Sequence, residues 1–174
     1  MNARSPSPLT SSPLRWYALR TRSRHEKQVR DWLVKRGVEQ LLPALGRISQ
    51  WKDRKKVIEL PLFPGYCFAK FFWQDRLSVL EIPGVVQIVG SGSFPEPILD
   101  EEIDALKKLM VSTLSYDAHP YLQRGMAVQV IRGPLEGAKG ILLRKEKQYR
   151  LVIAVHLIRQ AAAVEIDAAD VIPV

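Results

Sequence analysis

Few side chains in this 174-residue chain could do covalent chemistry. Cys67 is the sole thiol, and of the three histidines His25 and His156 are candidate bases for it. Cys67 lies within PLFPGYCF, an aromatic run punctuated by prolines. There a cysteine reads as a small core residue more readily than as a nucleophile. The densest carboxylates, Asp100, Glu101 and Glu102, open a helical pattern in which capping and the helix dipole account for them. No metal-ligand spacing, no phosphate-cradling glycine loop and no HExxH occurs. No metal or cofactor is implied, and a non-enzymatic role is expected.

Binding chemistry is better represented. The formal charge is +8, and it is unevenly placed. Residues 1 to 56 carry 14 Lys or Arg against 4 Asp or Glu, whereas the remainder carries 12 against 14. A one-sided positive field suits a polyanion such as nucleic acid. The candidate phosphate contacts are Arg20, Arg22 and Arg24, together with Lys52, Arg54, Lys55 and Lys56; a merely solvated surface is the alternative. The second constellation is aromatic. Phe63, Tyr66 and Phe68 fall within six positions, with Trp16 and Tyr17 upstream. An exposed set of this kind is an interface candidate, because Tyr and Phe supply large apolar area. The alternative is ordinary core, and alternation requires some of these side chains to be buried.

The elements that would position these residues follow from period and punctuation. Residues 1 to 13 are rich in Ser and Pro and read as a disordered tail, with neither a secretory signal nor any apolar run long enough to span a membrane. With a single cysteine, a reducing compartment is expected, and cytoplasm is the default. RWYALRTR alternates as a strand, with Trp16, Ala18 and Arg20 on one side and Tyr17 and Leu19 on the other. Ser23 and Glu26 have capping-box spacing for a helix stopped by Gly37. RISQW and VIELPLF flank the basic tip KDRKK as a hairpin. Gly65 to Phe72 is a strand placing Tyr66, Phe68, Lys70 and Phe72 opposite Cys67, Ala69 and Phe71. Asp75 and Asp100 read as caps of two further helices, separated by the strand VVQIV. An α+β domain over 14–111 results, an antiparallel sheet with its helices on one face. Residues 112–123 read as a linker, and 124–174 as an all-β domain of four or five short strands, a small closed barrel.

GMAVQVIRGPLEGAKGIL, followed by RLVIAVHLIRQAAAVEIDAADVIPV, resembles a KOW domain, a small SH3-like barrel. Upstream, RWYALRTRSRHEKQVRDWL, PLFPGYCFAKF, IPGVVQIVGS and PEPILDEEIDAL resemble, in order, the N-terminal domain of the NusG family. The resemblance implies a transcription elongation factor that binds the clamp helices of the largest RNA polymerase subunit, spans the DNA cleft and suppresses pausing or termination. On this resemblance Phe63, Tyr66 and Phe68 match the polymerase-docking aromatics, with Trp16 and Tyr17 extending or supporting them. The basic residues would meet upstream or non-template DNA through phosphates. Leu157, Ile158 and Arg159 match the loop by which such domains recruit a small-subunit ribosomal protein or Rho. Family members have Gly-Arg after the apolar pair, whereas this chain has Arg159-Gln160. That departure points to a specialised, RfaH-like paralogue acting in antitermination, and a monomer is expected. A housekeeping NusG acting in termination and transcription-translation coupling is the alternative, as is a ribosome- or RNA-binding KOW protein. One relative refolds its second domain as helices; the Val and Ile alternation here favours strands.

Overall fold

A computed structural model describes residues 13–50, 55–90, 95–114, 116–119, 125–145, 148–167 and 170–174. All but the last residue of the expected tail lies outside the described residues, as do tip residues 51–54. The first domain comprises β1 (Leu14–Thr21), α1 (Glu26–Lys35), β2 (Glu39–Leu41), β3 (Ala44–Gln50), β4 (Lys55–Pro61), β5 (Tyr66–Phe72), α2 (Arg76–Leu80), β6 (Val85–Ile88) and α3 (Asp100–Val111). Strands β2, β5, β1 and β6 form one antiparallel sheet in that order, and β3 and β4 a separate hairpin.

Alternation along β1 and β5 sorts their side chains onto two faces, and both faces are buried. Tyr17, Leu19, Cys67, Ala69 and Phe71 pack with Val29 and Leu33 of α1 and Val79 of α2. Trp16, Ala18 and Phe68 pack on the other face with Ile103 and Leu106 of α3. The expectation of helices on one face is therefore corrected. With apolar residues at consecutive strand positions, neither face can be left to water.

Local signals placed α1 well, but one cap differs. At its end Gly37 N–H donates to Val34 O (3.0 Å) and Val38 N–H to Leu33 O (3.0 Å), the paired bonds of a Schellman stop. At its start the expected Ser23–Glu26 capping box is absent: His25 holds the cap position, without a side-chain cap bond. Glu26 is instead buried and turned toward β5. At α3 the cap position is Leu99, and Asp100 is the first helical residue.

The remaining strands are β7 (Tyr116–His119), β8 (Met126–Val130), β9 (Lys139–Lys145), β10 (Gln148–Val155), β11 (Gln160–Ile166) and β12 (Val171–Pro173). They form a six-stranded antiparallel sheet in the order β12-β8-β9-β10-β11-β7. This all-β domain gains a strand from the expected linker, because 116–119 pairs with β11. The two domains share one hydrophobic core. Leu106 and Leu109 of α3 belong to the same cluster as Val128, Leu151 and Ile153. Polar ties reinforce the contact: Lys139 Nζ to Glu101 Oε2 at 3.4 Å, and His156 Nδ1 to Glu102 Oε1 at 2.6 Å.

Candidate docking site

The PLFPGY segment is a turn fastened at several points. Leu62 N–H donates to Pro43 O (2.8 Å), and Tyr66 N–H to Phe63 O (3.2 Å). Gly65 carries φ +85°, where a side chain would strain the backbone. Its carbonyl accepts from Thr21 N–H at 2.8 Å, and its own N–H donates to Glu26 Oε1 at 2.7 Å. A carboxylate on α1 and an end of β1 thus clamp one glycine from both sides. Charge-assisted bonds of this kind are among the stronger ones available to a loop. The chain after Gly65 therefore enters β5 in a defined register, with Tyr66 opposite Arg20.

This geometry separates the five expected docking aromatics. Phe63 (1% exposed) and Phe68 (0%) lie in the core, edge to face with centroids 6.3 Å apart. Trp16 is buried on the same face, with Lys107 Nζ 4.8 Å and Lys70 Nζ 5.9 Å from its ring centroid. Tyr17 is buried on the opposite face, stacked at a tilt on Phe71 (4.8 Å) and Trp73 (5.3 Å). Tyr66 alone of the five is half-buried. An exposed five-member patch is therefore not what the chain forms. The α3 face and the α1 face each close over their aromatics, because both sides of the sheet carry a helix.

Arg20, Arg22 and Arg24 are exposed, at the end of β1 and in the turn before α1, and flank Thr21, whose N–H meets the clamped Gly65. Lys55 begins β4 and is exposed, and Lys56 faces Ser49 in the hairpin register. Lys52 and Arg54 lie outside the described residues. The structure adds a group the sequence reading passed over. Half-buried Trp32 on α1 has Lys35 Nζ 5.0 Å and Arg36 Cζ 6.0 Å from its ring centroid. The Arg36 guanidinium also donates to Ser78 O on α2. The signal was present as an aromatic followed at i+3 and i+4 by cations on a helix.

In the all-β domain Leu157 is half-buried, Ile158 buried and Arg159 exposed. Arg159 adopts φ +53°, the left-handed region that favours glycine. The turn therefore keeps the backbone shape a glycine would give it, although glycine is absent. His156, at its start, is the residue paired with Glu102 of α3.

Nothing in the site favours covalent chemistry. Cys67 is fully buried, on the face opposite Phe68, and desolvation pushes its thiol up to about 12. A thiol that stays protonated at neutral pH is a poor nucleophile. Among the described residues no three His, Cys, Asp or Glu side chains group to hold a metal ion, and no helix is long and apolar enough to cross a membrane.

The family model described as "Transcription termination factor nusG" matches residues 14–107, more than half of the chain. The chain belongs to the NusG family. Among its relatives, the transcription termination/antitermination protein NusG of Staphylococcus aureus is 30% identical over 169 residues, covering 88% of this chain and 92% of that one. The NusG of Rickettsia bellii is 27% identical over 166 residues, covering 88% and 86%. Among solved structures, one titled "Domain interaction in Thermotoga maritima NusG" aligns with a TM-score of 0.55 at 23% identity, covering 93% of this chain and 98% of that one. That likeness establishes a NusG-type fold: an N-terminal sheet with helices and a C-terminal all-β region of KOW type.

Proposed function

We propose that this NusG-family protein is a non-enzymatic transcription elongation factor. It docks on RNA polymerase, across the DNA cleft at the clamp helices of the largest subunit, and suppresses pausing and termination as a specialised paralogue. The observation that carries the reading is the clamped Gly65 turn, which holds half-buried Tyr66 in register beside exposed Arg20. Tyr66 supplies the contact area, and buried Phe63 and Phe68 support it from below. Arg20, Arg22 and Arg24, with Lys52, Arg54, Lys55 and Lys56, would meet upstream or non-template DNA by phosphate contact, which positions without reading sequence.

Tyr66→Ala is the direct test, because Phe68→Ala would remove a core side chain and confuse binding with unfolding. The variant protein keeps its fold by circular dichroism and no longer co-purifies with polymerase; normal co-purification refutes the docking assignment. Replacing Lys52, Arg54, Lys55 and Lys56 by Ser weakens attachment to a DNA-containing elongation complex more at low salt than at high salt. An unchanged salt response argues against a phosphate role.

A second reading, a housekeeping NusG acting in termination and translation coupling, is favoured by one observation. Arg159 takes the glycine-type backbone conformation, so the Leu157–Ile158 turn retains the shape on which recruitment of a ribosomal protein or Rho would depend. Pull-down from native extract, read for ribosomal protein and Rho beside polymerase, separates the two.

A further inference from the structure

We infer that β7 is a strand lock that sets the length of the connection between the two domains, and so how far the all-β domain can travel from α3. The inference does not depend on which partner either domain binds. The α3 helix ends at Val111, and Ser112 caps it by donating its N–H to Lys108 O (3.1 Å) and its hydroxyl to Leu109 O (2.9 Å). From Val111 to Tyr116 there are five Cα–Cα steps, a reach of at most about 18 Å. With β7 unpaired, the connection runs from Val111 to Met126, fifteen steps, or about 50 Å. One short strand therefore decides between two tethers of very different length.

Several contacts hold the lock. Tyr116, Asp117, Ala118 and His119 pair with Val164, Ala163, Ala162 and Ala161 of β11. The Tyr116 hydroxyl donates to Ala44 O of β3 at 2.8 Å, tying the strand to the first domain as well. Burial pushes the Tyr116 phenol up, and the negative charge of Glu59 adds to the effect. Leu114 packs against the shared core.

The same strand is built to release. It is four residues long, lies at the sheet edge, and includes Asp117 and Ala118, which are poor strand formers. The polar part of the contact it backs up is weak, and its apolar part, Leu106 and Leu109 against Val128, Leu151 and Ile153, is what parting must undo. Its ion pairs, Lys139–Glu101 and His156–Glu102, each include an exposed partner. A cavity of about 290 Å³ lies between α3 and the all-β domain, bordered by Ala105, Val128 and Ile153. Parting therefore has two stages: loss of the α3 contact with β7 still zipped, then peeling of β7.

The test uses the full chain with nitroxide labels on Val34→Cys and Glu165→Cys, both exposed positions, leaving buried Cys67 in place. Pulsed electron–electron distances are expected to be narrow in this parent. Glu101→Lys with Glu102→Lys broadens them only modestly, because five steps keep Tyr116 within about 18 Å of Val111. Adding Ala118→Pro, at an exposed position within β7, extends the distribution by tens of ångströms as the tether lengthens to a limit of about 50 Å. Replacing 116–119 by Gly-Ser-Gly-Ser in the same background does the same without proline. Amide exchange shows the alternate amides of 116–119 that face β11 protected in the parent. The inference is overturned by full-length excursions in the Glu101→Lys/Glu102→Lys protein while β7 amides stay protected. It is equally overturned by no lengthening when β7 is disrupted, or by unprotected β11-facing amides of 116–119 in the parent.

Discussion

Replacing Glu26 tests how the docking turn is held. Its side chain is 5% exposed and accepts one hydrogen bond, 2.7 Å long, from the N–H of Gly65, which lies 39 residues away in the chain. Bonds to charged acceptors contribute about 1.5–3 kcal/mol, and an orphaned buried donor costs about 1–3 kcal/mol. Gly65 is only half-buried, so water can partly replace the lost acceptor. Glu26→Ala should therefore cost about 2 kcal/mol. In a domain assembly of this size that lowers Tm by about 4–8 °C. Glu26→Gln keeps a neutral acceptor of the same length and should lose about half as much. The negative charge also stands in the first turn of α1, where the helix dipole favours it, a small term that both variants forfeit. Urea unfolding followed by tryptophan fluorescence gives the free energies, and amide exchange at Gly65 reports the bond itself. Gly65 exchange should speed up in the order parent, Gln, Ala. The reasoning fails if Glu26→Ala is within about 0.5 kcal/mol of the parent, or if Gly65 exchange does not change.

Phe68→Ala removes a fully buried ring that meets Phe63 edge to face, and should cost about 3–5 kcal/mol in urea unfolding; a cost below about 1 kcal/mol would mean the ring is not core. Cys67, with its thiol held near 12, should resist a disulfide reagent at pH 8 in the native protein and react once unfolded. Its folded pKa lies above the unfolded value, so its contribution to stability is whole below about pH 8.5 and declines as pH rises toward about 12. The phenols of Tyr17 and Tyr116, raised by burial, act in the same direction. Cys67→Ala should therefore flatten part of the alkaline fall in a stability–pH series. Gly140→Ala would set a Cβ 2.4 Å from Val152 O, a backbone atom of the neighbouring strand, and should disrupt the β9–β10 pairing, seen as loss of amide protection at 139–143.

The sequence alone determined what depends on neighbours in the chain. Alternation in RWYALRTR and YCFAKFF set the strands and the division of their side chains, because a strand's period of two is a property of the backbone. Gly37 marked the end of α1 because a left-handed residue is needed within one turn of the helix stop. The order of motifs also carried the family. Tertiary structure alone decided the rest. Alternation says that Phe68 and Cys67 face opposite ways, but not that α3 and α1 bury both. A capping box and a bond to Gly65 are equally open to Glu26 until β5 is brought beside α1. Tyr116 to His119 have no periodic signal at all, and become a strand only because β11 offers an unpaired edge within reach. In each case the deciding partner lies tens of residues away. Its position follows from the closure of the whole chain, which no local preference encodes.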